Sequence, residues 1–367
     1  MSKLCLVKRI LLSIICVLTL ASAVLNAGNV GLNVRPGYVI PAHGFYNGWN
    51  PQNKAIRYAL SSDLQYTFSL SGSRVYQGAG IGMHTFFADD MLGTPATFYI
   101  LQGAPLLRIC DNLTLGYEWN FGLSGGWKEN GAVTVSPINA YINVSMLFDW
   151  HINRYWSFIF GPEYTHFSNG DTKFPNGGAN TTNFRIGAIC NISGDNEDGV
   201  ERIFKSDSEN RRFAKNLTYD LTAFGAWRAD RYIDIDGALV IDNSAYAVAG
   251  LNFNPLYHFN DHLSAGASLD LIYDASANRH FNRGWVKHCA AGVSVRGELA
   301  MPIFSVNVGA GYNLLRSGPD LKGFYGLFSL KAFLTGSLYL NVGYRLGQTN
   351  YAHNMMFGLG WRFRKPH

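Results

Sequence analysis

Two residues two positions apart, His166 and Ser168, set out the chemistry this chain can do. A serine hydroxyl is a poor nucleophile until a neighbouring imidazole takes its proton, and the activated oxygen then attacks an ester carbonyl. On an extended strand, residues i and i+2 point to the same side, with their Cβ atoms roughly 7 Å apart. The residues before the pair alternate in character. Trp156, Phe158, Phe160 and Tyr164 share one face, whereas Ser157, Gly161, Glu163 and Thr165 share the other. His166 and Ser168 continue the aromatic face. A base and a nucleophile on the greasy side of a strand point to a substrate that lies in lipid.

The partners such a pair needs follow within a few residues. Asn180 has the parity of Phe184, Ile186 and Ala188 on the next strand, so it too faces outward. An amide there can accept the N–H of His166 and fix its tautomer, as asparagine does in Cys-His-Asn sites. The intervening loop offers the side chains of Asn169 and Asn176 and the backbone amides near Asp171, donors suited to a developing oxyanion. Asp171 is the nearest alternative carboxylate to Asn180, because Glu163 has inward parity. Lys173, in the same loop, is a candidate contact for a lipid phosphate. The mixed-sign run Arg228, Asp230, Arg231, Asp234 and Asp236 reads as solvated loop.

The elements that position these residues are strands. Segments of roughly 10–17 residues recur, separated by turn residues. Eight lie in the first half: 29–42, 55–71, 74–88, 94–109, 113–128, 138–153, 155–169 and 180–192. Eight more follow: 217–232, 238–258, 262–275, 284–300, 302–315, 322–335, 337–347 and 353–364. Phe304, Val306, Val308, Ala310 and Tyr312 oppose Ser305, Asn307, Gly309, Gly311 and Asn313. Apolar-out, polar-in alternation of this length is the pattern of a transmembrane antiparallel up-and-down β-barrel, since strands of soluble sandwiches run shorter. Trp156, Trp227 and Trp361 fit the aromatic girdles of such a barrel. The charged stretch 193–216 divides the strands into two tandem eight-stranded barrels, residues 28–192 and 217–367. The alternative is one barrel of about 14–16 strands. The halves also read as distant copies, 105–126 lying over 255–276 and 161–170 over 309–318, with His166 on Leu314 and Ser168 on Arg316.

Composition agrees and excludes other classes. Of 367 residues, 15% are charged and 14% aromatic, and mean hydropathy is −0.01. That is too apolar for disorder and too polar for a helical membrane protein. A net charge of +5 without a clustered basic stripe excludes a nucleic-acid footprint. Lys3, Lys8 and Arg9, the apolar run Ile10 to Leu20 and the small residues Ala21-Ser22-Ala23 and Ala27-Gly28 read as a signal peptide within residues 1–27. Beyond it no apolar stretch of about 18 residues remains, so a membrane location requires a closed barrel. Cys110, Cys190 and Cys289 suit neither a disulfide framework nor a zinc site. No metal and no cofactor is expected.

His166-Phe167-Ser168-Asn169 with Pro175-Asn176-x-Gly178 resembles the PagL-type lipid A 3-O-deacylases, within the broader acyloxyacyl hydrolase group. The specific resemblance spans about 15 residues, and the frame 29–192 fits it loosely. It implies an outer-membrane eight-stranded barrel whose histidine and serine sit near the outer end of the seventh strand. It implies Ser168 as nucleophile, His166 as general base, and Asn176 as oxyanion donor, with help from the Asp171 amide where the family has glycine. Lipid A in the outer leaflet would be the substrate. The family's glutamate falls on Asn180, and an amide orients imidazole without stabilising imidazolium by charge. A slower enzyme is therefore expected, since loss of a triad carboxylate costs as much as about 10⁴-fold. The second half, 217–367, would lack the catalytic motif. The rival reading is a non-enzymatic outer-membrane barrel, structural, ligand-binding or a channel, with a degenerate site.

Overall fold

The computed structural model describes residues 28–69, 75–134, 136–192, 217–233, 238–260, 262–277, 288–300, 304–316, 323–347 and 354–364. The expected signal peptide and the charged stretch 193–216 lie outside them, as do Asp234 and Asp236.

Eight strands make the first barrel: β1 (Asn29–Val39), β2 (Tyr58–Ser69), β3 (Tyr76–Thr85), β4 (Gly93–Cys110), β5 (Leu113–Trp127), β6 (Ile138–His151), β7 (Trp156–Ser168) and β8 (Ala179–Asn191). Each pairs with its sequence neighbour, and β1 pairs with β8 from Asn29↔Asn191 to Val39↔Thr181, so the sheet closes at the eighth strand. The second barrel contains β9 (Leu217–Ile233), β10 (Leu239–His258), β11 (Leu263–Asp274), β12 (Cys289–Ala300), β13 (Phe304–Arg316), β14 (Phe324–Phe333), β15 (Leu338–Gly347) and β16 (Asn354–Arg364). It closes where β16 pairs with β9, from Phe357↔Gly225 to Arg364↔Thr218. Two closures overturn the alternative of one barrel of 14–16 strands.

Facing follows the period-two pattern. In the first barrel Asn33, Arg35, Asp63, Gln65, Glu118, Glu163 and Arg185 are buried, while Leu32, Val34, Leu64, Ile81, Phe98 and Leu123 are exposed. The second barrel repeats this inversion with buried Asp220, Asp270, Glu298, Lys331 and Arg362 against exposed Leu251, Leu269, Leu271, Val295 and Leu359. An apolar wall around a charged interior is stable where the surrounding solvent is lipid. Trp156, Trp227 and Trp361 all face outward.

The buried charges are paired. Arg35 meets Asp63 and Glu163, and Arg185 Nη1 lies 2.6 Å from Glu118 Oε1 with Gln65 and Asn33 as further acceptors. In the second barrel Lys331 and Arg362 each bridge Asp220 and Glu298 at 2.6–2.7 Å. The run after Trp227 departs from the solvated-loop expectation. β9 continues into it as far as Ile233, and Arg228 and Asp230 point into the barrel, Arg228 Nε donating to Asp274 Oδ2 at 2.8 Å. Inward parity in a long strand outweighs the loop-like composition.

Loop lengths distinguish the two ends of the first barrel. At one end run 40–57, with a 3-10 turn at Gly44–Asn47, then 86–92 with the short helix α1 (Asp89–Leu92), 128–137 and 169–178. At the other end the connections 111–112 and 152–155 are tight. Barrels of this type carry their longer loops outside the cell. The suggested copies also meet a topological fact. Segment 105–126 is the hairpin β4–β5, whereas 255–276 covers β10–β11, the second and third strands of their barrel. β7 likewise lies over β13, a fifth strand, so both matches are displaced by two strands. By position β7 corresponds to β15, whose residues of outward parity are Leu338, Leu340, Val342, Tyr344 and Leu346.

Leu269→Arg, in the middle of β11, is expected to destabilise the second barrel by about 2–4 kcal/mol in urea unfolding from lipid vesicles. A neutral effect would mean that this face meets water. Arg185→Ala strands Glu118 in the first barrel and is expected to cost about 3–5 kcal/mol in the same measurement.

Candidate active site

The site is built on the register of β7 and β8, which sets His166 directly opposite Asn180 and Tyr164 opposite Thr182. Parity on β7 is held by Phe167. Its ring is buried among Trp127, Tyr141 and His84, with centroid separations of 5.0, 5.4 and 5.1 Å. A slip of one residue would expel that ring and draw His166 inside, so packing of an inert phenylalanine keeps its two polar neighbours outward. His166 and Ser168 are both half-buried on the face that carries Trp156 and Tyr164. They lie at the long-loop end of the barrel.

His166 Nδ1 is 2.6 Å from Asn180 Oδ1. A carbonyl oxygen only accepts, so the imidazole donates from Nδ1 and its Nε2 is left as the basic nitrogen. The same Asn180 oxygen accepts a second hydrogen bond, from the Tyr164 hydroxyl at 2.8 Å. Ser168 shares the outward face with His166 but forms no hydrogen bond to it among the described residues. Unliganded sites often hold such bonds long, and substrate tightens them.

The loop after β7 braces itself. Gly170 and Asp171 both adopt left-handed backbone, at φ 65° and 61°. Asparagine and aspartate tolerate that region better than other residues, which lets Asp171 stand at a glycine-like position. The Asn169 N–H donates to Asn176 Oδ1 at 3.2 Å, and Asn176 Nδ2 donates to Asp171 Oδ1 at 3.0 Å. One of the two N–H donors of Asn176 is thus engaged within the loop, and the Asp171 carboxylate holds Asn176 rather than His166. Asn169 is buried, and its Nδ2 donates to the Lys173 carbonyl at 2.8 Å, directed into the loop and away from an oxyanion. Lys173 Nζ stands 4.0 Å from Glu129 Oε2, both side chains exposed. Glu163 faces the barrel interior, where Arg35, Ser145 and Asn183 bond it.

Two features escaped the reading of the sequence. By parity Tyr164 reads only as part of the aromatic face, yet its position two residues before His166 places it diagonally across from Asn180. Asp149, His151 and Ser157 form a second constellation near the tight-turn end, with His151 Nδ1 2.8 Å from Ser157 Oγ and 3.9 Å from Asp149 Oδ1. There one ring nitrogen faces both partners, whereas a triad uses both nitrogens. Among the described residues no group of three or more His, Cys, Asp or Glu side chains could hold a metal ion. Cys110, Cys190 and Cys289 form no disulfide.

Residues 217–365, the span of the second barrel, match the family described as acyloxyacyl hydrolase, C-terminal domain. That match supports a PagL-type acyloxyacyl hydrolase family for this barrel. The matched span is therefore the half without the His166–Ser168 pair, and the half with that pair precedes it. The closed barrels and the family together support a place in the outer membrane. No curated protein matches the chain. Among solved structures, the NanC porin is 10% identical, over 91% of this chain and 100% of that one, at a TM-score of 0.17. The TodX monoaromatic hydrocarbon channel deltaS2 mutant is 11% identical over 93% and 90%, with a TM-score of 0.19. The CymD monoaromatic hydrocarbon channel is 8% identical over 93% and 89%, with a TM-score of 0.20. Likeness this slight carries no argument about the acyloxyacyl hydrolase domain or its companion.

Asn176→Ala removes both braces that Asn176 makes, each worth about 1 kcal/mol net. Tryptic cleavage after Lys173 in the folded protein is expected to accelerate about 5- to 30-fold. An unchanged cleavage rate would show that the loop is held by other means.

Proposed function

We propose that the first barrel is an outer-membrane serine esterase that hydrolyses an ester-linked acyl chain of lipid A, by 3-O-deacylation. The observation that carries this reading is the 2.6 Å contact of His166 with Asn180 on the lipid-facing side of β7, two residues from Ser168. Barrels of this type carry their longer loops outside the cell, so the long-loop end would put the site in the outer leaflet. The acyloxyacyl hydrolase domain in the same chain supports the reaction class.

The reaction runs in two steps. Ser168 Oγ attacks the ester carbonyl as His166 Nε2 takes its proton, and the tetrahedral oxyanion is met by the remaining Asn176 N–H and the Asp171 backbone amide. Collapse returns the proton to the leaving sugar oxygen, giving an alcohol and an acyl-serine. His166 then activates water, which releases the fatty acid and restores Ser168. Asn180 holds the imidazole throughout as a dipole. Its lack of charge leaves the imidazolium less stabilised than a carboxylate would, and the rate is correspondingly low.

That same amide favours a second reading, a barrel that binds lipid without turning it over. Mass spectrometry of lipid A from cells expressing variants separates the two. Ser168→Ala is expected to abolish deacylation, and identical lipid A from wild type and this variant would sink the esterase. Asn180→Glu is expected to raise the rate at least tenfold, towards a ceiling of about 10⁴. No rise would argue that Asn180 is not the orienting position.

A further inference from the structure

Asn180 can be placed in two ways, because its amide oxygen and nitrogen are nearly equal in size and the side chain can turn over. The two placements have opposite consequences for His166. With Oδ1 towards the ring, Nδ1 carries the proton and Nε2 is a base. With Nδ2 towards the ring, Nδ1 must accept, the proton moves to Nε2, and no base faces Ser168. A carboxylate has two equivalent oxygens and no such ambiguity. An asparagine in the orienting position needs something else to decide it.

Tyr164 is placed to do so. It sits two residues before His166 on the same face, across from the β8 residues that follow Asn180, and its hydroxyl donates to Asn180 Oδ1 at 2.8 Å. A carbonyl oxygen has two lone pairs, and here both are taken, one by Tyr164 and one by His166. If the amide turned over, Nδ2 would donate to the tyrosine oxygen and leave the phenolic hydrogen without an acceptor. Tyr164 is 39% exposed on the outward face, where the surroundings are lipid. An unmet hydroxyl is costlier the less water reaches it. The placement that satisfies Tyr164 is thus the one that keeps Nε2 of His166 basic.

We infer that Tyr164 is a positioning residue: through Asn180 it sets the tautomer of His166, and so does part of the work of a triad carboxylate. The inference rests on the esterase reading only for its kinetic consequence, since the tautomer is a property of the resting protein. The test uses the full chain in nanodiscs with two readouts. In ¹⁵N spectra of histidine-labelled protein, assigned by His166→Gln, wild type is expected to show the Nδ1–H form of His166. Tyr164→Phe is expected to populate the Nε2–H form as well. In deacylation of lipid A, Tyr164→Phe is expected to lower kcat about 3- to 10-fold with KM unchanged, the size of one net hydrogen bond. In an Asn180→Glu background, where there is no amide to turn, the same substitution should leave kcat within about twofold.

An unchanged tautomer in Tyr164→Phe overturns the inference whatever the enzyme does. So does an equal fall in kcat in both backgrounds, which would mark a general structural role. If Ser168→Ala deacylates as well as wild type while Tyr164→Phe still shifts the tautomer, the esterase reading fails and the role of Tyr164 in setting the tautomer stands.

Discussion

Every N–H and C=O in a wall surrounded by hydrocarbon must find its partner within the protein, because lipid offers none. Pairing of β1 with β8 and of β9 with β16 meets that demand by leaving neither sheet an edge. Closure fixes the facing of all the rest. Once the ring is shut, each strand has one side towards lipid and one towards a narrow interior, and a polar side chain must either pair inside or have a reason to be outside. Arg35, Arg185, Lys331 and Arg362 pair inside. His166, Ser168 and Asn180 are polar and outside, and His166 and Asn180 bond each other there.

This is also why so much of the fold was legible in the sequence. Alternation of period two, sustained over ten or more residues, specifies both strand and facing, and breaks such as 169–178 mark the ends. The sixteen expected segments all correspond to strands, with ends displaced by a few residues where turns begin. Composition misled at Arg228 and Asp230, since charge resembles solvated loop unless the interior is itself charged. The outward facing of His166, Ser168 and Asn180 followed from parity alone. The bonds within the loop did not, because side-chain directions there depend on the left-handed turn at Gly170 and Asp171, which has no periodicity to read. Asn169 accordingly braces the loop, and Tyr164 entered the site unannounced.

The two barrels share an architecture. The match to a named hydrolase family falls on the half whose β15 offers only Tyr344 as a polar outward side chain, and the His166–Ser168 pair falls on the other. Fold and chemistry are separable in this way because eight strands and a charged interior make a barrel with or without a site on its wall. What makes the wall of the first barrel different is a short stretch at the top of β7 and β8.

For the esterase proposed above, the filled interior would impose a particular kinetic setting. With Arg35, Arg185, Glu118 and Glu163 packed across the lumen, substrate would reach β7 only by sliding within the leaflet, and the fatty acid would leave by the same sideways route. Turnover would then depend on the mole fraction of substrate in the membrane plane, not on its concentration in bulk water. The product would be diluted by its neighbours in the bilayer rather than by solvent, so the physical state of the surrounding lipid would become part of the rate law.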